Sequence, residues 1–283
     1  MTAPRRQLVL RHQLVERADG VAIAAVEVGP PGAPAWVIAH GAGSSARFVV
    51  EAFAVPVLAS GARLVTYDLR GHGASSAVRD PVAHHLEQQV GDLEAVAGSI
   101  PGPVEVVGGV SLGAHAAVRA LARRSAGGVR GPLSDVEVVV ACLPAWTGPS
   151  IAGTGPHAGN AAEARRVGIP AVIDRLRVAA GMPAWLQATL LADYPRHDPA
   201  SLAATLEALD GGEAPTEQEL RTLPVPLAVV GWPEDPGHPL AVARRWAALA
   251  SPSPAGRLLI EDLDGDLAAL GRRAVEMVGA CRG

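Results

Sequence analysis

The chain has 283 residues and is 49% hydrophobic, enough to bury a large core and too apolar for overall disorder. Its formal net charge of -4 argues mildly against nucleic acid or an anionic membrane surface as a partner. The two cysteines, Cys142 and Cys281, give no disulfide framework and imply a reducing, intracellular setting. With two Phe and two Tyr in the chain, the core must be filled by Val, Leu, Ile and Ala. No signal-peptide h-region or transmembrane run is visible, so the cytoplasm is the expected location.

Gln7 to Glu16 and Val21 to Val28 read as two strands joined by the turn at Ala18-Asp19-Gly20, an antiparallel lead-in. Ala35 to Ala39 is a short buried strand followed by His40-Gly41-Ala42-Gly43-Ser44-Ser45. Arg47 to Ser60 reads as a helix that Pro56 bends or interrupts. The next strand, Arg63 to Tyr67, runs into Asp68-Leu69-Arg70-Gly71-His72-Gly73, and Leu86 to Ser99 reads as helix. A strand from Val104 to Gly108, a helix from Leu112 to Arg124 and an apolar strand from Val136 to Ala141 follow. These strands are mostly unbroken hydrophobic runs, the pattern of parallel strands covered by helices on both faces. They alternate with helices from residue 35 onwards, as an α/β architecture requires.

After Cys142 the rhythm changes. Residues 144–160 are rich in Gly, Pro, Ser and Thr, and helix-like segments follow at Ala161 to Arg166, Ala171 to Ala180, Ala184 to Ala192 and Ser201 to Leu209. Residues 145–220 therefore read as a helical lid inserted in a parent domain made of 1–144 and 221–283. The alternation resumes with a strand at Leu227 to Gly231, a helix at Leu240 to Ala250, a strand at Arg257 to Ile260 and a helix at Leu267 to Ala280.

The most informative stretch is Val104 to His115, V-E-V-V-G-G-V-S-L-G-A-H. A β-branched run ends at a pair of glycines, and an Ala-rich helix begins just after Ser111. Gly109 and Gly113 keep side chains out of a place where strand and helix nearly touch. Such a turn lifts the Ser111 hydroxyl above the sheet end and leaves the Leu112 amide available at the helix start, where it can help hold an oxyanion. The bland alternative is a Gly-flanked serine serving only as a helix cap.

Together with His40-Gly41, the Tyr67 to Gly73 segment, the lid and Asp235, this elbow resembles the alpha/beta-hydrolase superfamily, from about residue 8 to the end. The resemblance implies an alpha/beta-hydrolase fold: a mostly parallel eight-stranded sheet flanked by helices, with a helical lid. It implies Ser111 as nucleophile, Asp235 as the acid that orients the base, and the amides of Ala42 and Leu112 as oxyanion donors. Glu234 competes with Asp235 for its role. His40 and His72 are recurrent features of such sites, usually structural; Asp68 and Arg70 brace the loops, and His115 is a packing or surface residue.

One position departs from the pattern. The family's base is a histidine after the last strand, but this chain reads E-D-L-D-G-D there and has no histidine after His238. A carboxylate is a weaker base than imidazole, with an ordinary pKa of about 3.9 against about 6.5. Three outcomes follow. The base is relocated, with His238 the best candidate because its loop already holds Asp235; His84, His85, His157 and His197 are weaker. Or the reaction is a lyase, isomerase or cyclase one, in which Asp264 or Asp266, raised in pKa by burial under the lid, is acid or base. Or the fold is retained, without catalysis, for ligand binding or protein interaction. The first is preferred: a serine hydrolase acting on a small, largely apolar ester, lactone or thioester. Trp146, Trp185, Leu186 and Leu190, with Leu191, are the expected pocket lining. The implied partner is a small-molecule substrate, with no nucleic acid and no membrane; a homodimer is compatible with the sequence. No cofactor and no metal is implied, because the alternating Asp262, Asp264 and Asp266 are too short and Gly-poor for a calcium loop.

Overall fold

The computed structural model describes residues 9–127, 131–149, 160–180, 182, 184–233, 235, 237–250, 256–260 and 266–282. β1 (Leu10–Glu16) and β2 (Ala22–Val28) form an antiparallel pair, and β2 lies antiparallel to β4 (Arg63–Tyr67). Pairing is then parallel through β3 (Ala35–Ala39), β5 (Val104–Val110), β6 (Val138–Cys142), β7 (Leu227–Gly231) and β8 (Gly256–Ile260). The resulting order is β1-β2-β4-β3-β5-β6-β7-β8.

Every residue of β3, β4, β6 and β7 is buried, which is why these strands show no polar alternation. Along β3, Ala35, Val37 and Ala39 pack into one cluster with α2 (Leu86–Ser99), α3 (Leu112–Gly127) and α8 (Leu240–Leu249). Trp36 and Ile38 point the other way, towards α1 (Ala46–Ala59) and α9 (Ala268–Arg282). The period of two thus serves two helical layers at once.

Of the two effects expected of Pro56, interruption is not found: α1 runs through it. It lies in the last turns of the helix and is itself buried, among Val49, Ala52, Phe53 and Val57. Burial of that face outweighs the one backbone hydrogen bond a proline removes, and the helix stops a turn later at Ser60.

Between β6 and β7 run α4 (Asn160–Val178), α5 (Ala184–Asp193), α6 (Pro199–Gly211) and α7 (Glu217–Arg221). α4 joins two of the expected segments across a kink at Gly168, where φ is 77 and Pro170 follows. The short α7 was not expected; a reciprocal capping box between Thr216 and Glu219 starts it. These helices have a small core of their own, built on Ile169, Leu190, Tyr194, Leu202 and Leu206. They are tied to the sheet domain by Arg47 and Asp193 at 2.9 Å, by Val78 N–H donating to Ser201 Oγ at 2.9 Å, and by Thr205 Oγ1 beside His84 Nδ1 at 3.1 Å. Among the described residues, no helix is long and apolar enough to cross a membrane.

Candidate active site

Ser111 stands alone between the end of β5 and the start of α3, with φ at 53, a region that costs a residue bearing a side chain on the order of 1–3 kcal/mol. Its neighbours hold it there. The Ser111 N–H donates to the Cys142 carbonyl at 2.9 Å, and the His115 N–H donates to the Ser111 carbonyl at 3.1 Å as the helix begins. The flanking glycines are sterically required. A Cβ on Gly109 would lie 2.3 Å from the Gly113 carbonyl carbon, and one on Gly113 would lie 2.4 Å from the Ala39 carbonyl oxygen. Leu112 is the first residue of α3, so its amide belongs to the turn that has no acceptor within the helix.

Ser111 opens into a cavity of about 500 Å³. Its floor is formed by Gly41, Ala42, Ser44, Val110, Ser111, Asp235 and His238, from loops at the carboxyl ends of β3, β5 and β7. Its roof comes from α4, α5 and α6, with Val172, Leu176, Trp185, Leu186, Leu190 and Leu206. The lining is apolar except at the floor, Thr189 and Tyr194, so a ligand is held mainly by burial and oriented by a few polar groups.

Asp235 and His238 are brought together locally. The His238 N–H donates to the Asp235 carbonyl at 3.2 Å, closing a turn. That turn sets His238 Nδ1 2.6 Å from Asp235 Oδ2, while Asp235 Oδ1 accepts from the Gly237 N–H at 2.8 Å. Burial pushes the Asp235 carboxyl up, but the bonds from His238 and Gly237 outweigh it and hold the group below its ordinary value. Asp235 is therefore a carboxylate at neutral pH. Its bond from Nδ1–H makes Nε2 the basic nitrogen of the neutral ring.

The loop that carries Ala42 is braced by three imidazoles. The N–H of Leu69 donates to His40 Nε2 at 2.9 Å, that of Gly43 to His72 Nε2 at 3.0 Å, and that of Gly73 to His197 Nδ1 at 2.9 Å. The opposite nitrogens bond the carbonyls of Gly41 at 2.7 Å, Arg70 at 3.0 Å and Gly43 at 3.1 Å. Each ring thus accepts on one side and donates on the other, which only the neutral form can do. Burial accordingly lowers all three, His40 to about 4. Asp68 and Arg70 brace neighbouring loops, Asp68 accepting from the Ala46 and Ala74 amides and Arg70 pairing with the buried Asp92.

Other expected site residues lie elsewhere. Trp185, Leu186 and Leu190 line the cavity, but Trp146 does not; it packs edge-on against His115, 4.7 Å between ring centres, inside the core on the α3 side. A loop tryptophan shows its apolarity in sequence but not which side of the sheet it enters. His115 is fully buried and accepts from the Ala145 N–H, away from the cavity lining. Asp266 is exposed at the start of α9 and paired with Arg272, which holds its carboxyl below the ordinary value; the expected burial under the lid and raised pKa are not found. Asp264, Glu234 and His157 lie outside the described residues. His84 is engaged by the Val78 carbonyl and Thr205, and His197 reaches the Ala42 loop rather than Ser111. Two residues escaped the sequence reading: Tyr194, in the cavity wall, and Asp193, buried and paired with Arg47. Among the described residues, no group of three or more His, Cys, Asp or Glu is placed to hold a metal ion.

Among known proteins, a stretch of 97 residues is 39% identical to the probable oxidoreductase EphD of Mycobacterium tuberculosis, spanning 34% of this chain and only 16% of that protein. The esterase RhEst1 from Rhodococcus sp. ECU1013 superposes with a TM-score of 0.72 at 20% identity, over 95% of this chain and 99% of that one. The enol-lactonase from Burkholderia xenovorans LB400 does so with a TM-score of 0.67 at 20% identity, over 96% and 97%. At that identity the likeness is one of fold. Residues 36–269 match the model of the Alpha/beta hydrolase family, and with the sheet, elbow and loops described above, this chain belongs to that family.

Proposed function

We propose that this protein is a serine hydrolase that cleaves a small, largely apolar ester, lactone or thioester through an acyl-enzyme on Ser111. One observation carries the reading: Ser111 and the Asp235–His238 pair line the same cavity. Ser111 Oγ attacks the carbonyl carbon as His238 Nε2 accepts its proton. The carbonyl π pair moves onto oxygen, and the amides of Ala42 and Leu112 hold the charge, each such donor being worth roughly 3–4 kcal/mol. When the carbonyl re-forms, the bond to the leaving oxygen or sulfur breaks and the imidazolium gives that atom the proton. Water repeats the sequence on the acyl group, releasing the acid and restoring Ser111. Asp235 keeps His238 in the tautomer that presents Nε2 and stabilises the imidazolium.

Residues 145–220 act as the inserted helical lid over a core of 1–144 and 221–283, and the apolar roof favours substrates whose bulk is hydrocarbon. The reaction takes place in the cytoplasm, which the absence of a disulfide framework supports, and needs no cofactor. A lyase or isomerase built on the acidic turn finds no support in Asp266, which is neutralised by Arg272 at the surface. The test is a series of p-nitrophenyl acyl esters with Ser111→Ala and His238→Asn. Turnover in the parent and its loss in both variants is expected; turnover that survives Ser111→Ala excludes the mechanism.

A further inference from the structure

The loop from Gly41 to Gly43 touches a hydroxyl-bearing side chain at each end. At its start Gly41 abuts Ser111, whose Cβ lies 3.1 Å from where a Cβ on Gly41 would stand. At its end Gly43 abuts Tyr194. A Cβ on Gly43 would lie 2.5 Å from the ring and 3.1 Å from Tyr194 Oη. Ala42, the residue between, carries an amide assigned above to the oxyanion, and Ala42, Ser111 and Tyr194 all line the cavity.

The phenol is held firmly over that loop, because the residues flanking its short 3-10 turn are clamped to the sheet domain. Asp193, just before it, accepts from Arg47 Nε and Nη2 at 3.0 and 2.9 Å, with Ser44 Oγ at 3.4 Å. His197, three residues on, bonds the carbonyl of Gly43 and the amide of Gly73. Among the described residues, none is hydrogen-bonded to the Tyr194 hydroxyl, so its donor is available to whatever occupies the cavity. Packing alone does not need that hydroxyl: the ring already fills the space that the missing Gly43 side chain leaves.

The geometry points to Tyr194 as a further catalytic residue, its hydroxyl donating a hydrogen bond to the substrate carbonyl oxygen as that atom becomes an oxyanion beside the Ala42 amide. The proton stays on Tyr194 throughout; burial holds the phenol up at about 12, so it remains a donor across the working pH range. The role rests on the hydrolase reading above. It makes the third donor a lid residue, so that the oxyanion site is complete only when α5 and the turn after it are seated on the Ala42 loop.

The test compares the parent with Tyr194→Phe, which keeps the ring against Gly43. On an ester substrate the variant should lose roughly tenfold to a hundredfold in kcat with KM changed by less than about threefold. An aryl boronic acid, which adds to a serine hydroxyl as a tetrahedral anion, should bind Tyr194→Phe weaker by a similar factor. Tyr67 and Tyr194 are the only tyrosines. Protein grown with 3-fluorotyrosine therefore gives two fluorine resonances, and the boronate should move that of Tyr194 while the deeply buried Tyr67 serves as reference. A rise in KM alone, or unchanged kcat and boronate affinity with the Tyr194 resonance unmoved, overturns the assignment while leaving the Ser111 chemistry standing. If the parent neither hydrolyses esters nor binds boronate at Ser111, the hydrolase reading itself fails, and the role given to Tyr194 with it.

Discussion

Acidification from pH 7 to pH 5 should strip stability from this protein well before its carboxylates titrate, because the Ala42 loop hangs on three imidazoles that must stay neutral. His40, His72 and His197 each accept a hydrogen bond from a backbone N–H, and a proton on that nitrogen would set two donors against each other. The rings are also stacked edge-on, His40 to His72 at 5.2 Å between centres and His72 to His197 at 4.8 Å, so a first charge opposes a second. Burial is the main cause of their lowered pKa values; repulsion from neighbouring imidazoles adds to it at His40 and His72, and the Arg196 charge adds to it at His197. The folded state therefore refuses protons that the unfolded chain takes up as pH falls through about 6.5. Stability is full above that value and is lost between it and the folded value. For His40, an ordinary 6.5 lowered to about 4 gives a loss of about 2 kcal/mol between pH 7 and pH 5. His72 and His197 act in the same direction, as does buried His84, so the total exceeds that figure. Lowered carboxylates such as Asp235 contribute only below their ordinary range and do not enter this window. Urea unfolding at pH 7, 6 and 5 measures the effect directly. A change of less than about 1 kcal/mol over that range, or imidazole resonances titrating at ordinary values, would refute the reasoning.

Gly113→Ala should destabilise the fold by more than about 3 kcal/mol, read by the same urea titration, because the new Cβ meets backbone at 2.4 Å that cannot move without parting β3 from α3. Asp235→Asn should leave the fold intact and lower kcat by roughly a thousandfold or more, since the amide no longer enforces the Nδ1–H tautomer of His238. Asp266→Asn should leave ester turnover within about twofold, as expected of an exposed ion pair that is not part of the cavity lining; a large loss would return the acidic turn to the chemistry.

The parts of this molecule that are local in sequence were legible in it. The glycines around Ser111 announce the elbow because part of the steric conflict they avoid is local, Gly109 meeting the Gly113 backbone four residues on, although Gly113 itself meets Ala39 at the end of β3. The Asp235–His238 contact is likewise a single turn, which the spacing in D-P-G-H allows. The β3 to β7 runs read as covered parallel strands because burial on both faces leaves no polar alternation. What was hidden depends on approach across the chain. Tyr194 touches Gly43, and Asp193 touches Arg47, from some 150 positions away, and nothing in Y-P-R-H marks those side chains as lying above the Ala42 loop. Trp146 reads as pocket lining on apolarity alone, yet it packs against His115, a ring supplied by another element. α1 ran on through Pro56 because tertiary burial overrode a local rule, while α7 was missed although its capping box is spelled out in T-E-Q-E.

The central claim, that Ser111 is served by the imidazole in the β7–α8 loop, is tested most directly by a crystal structure of the protein inactivated with a small alkyl fluorophosphonate. The expected result is phosphorus bonded to Ser111 Oγ, a phosphoryl oxygen held by the amides of Ala42 and Leu112, and His238 Nε2 within hydrogen-bond reach of Oγ, about 3 Å. An adduct at any other residue, or a labelled Ser111 with the His238 ring turned away from it, would contradict it.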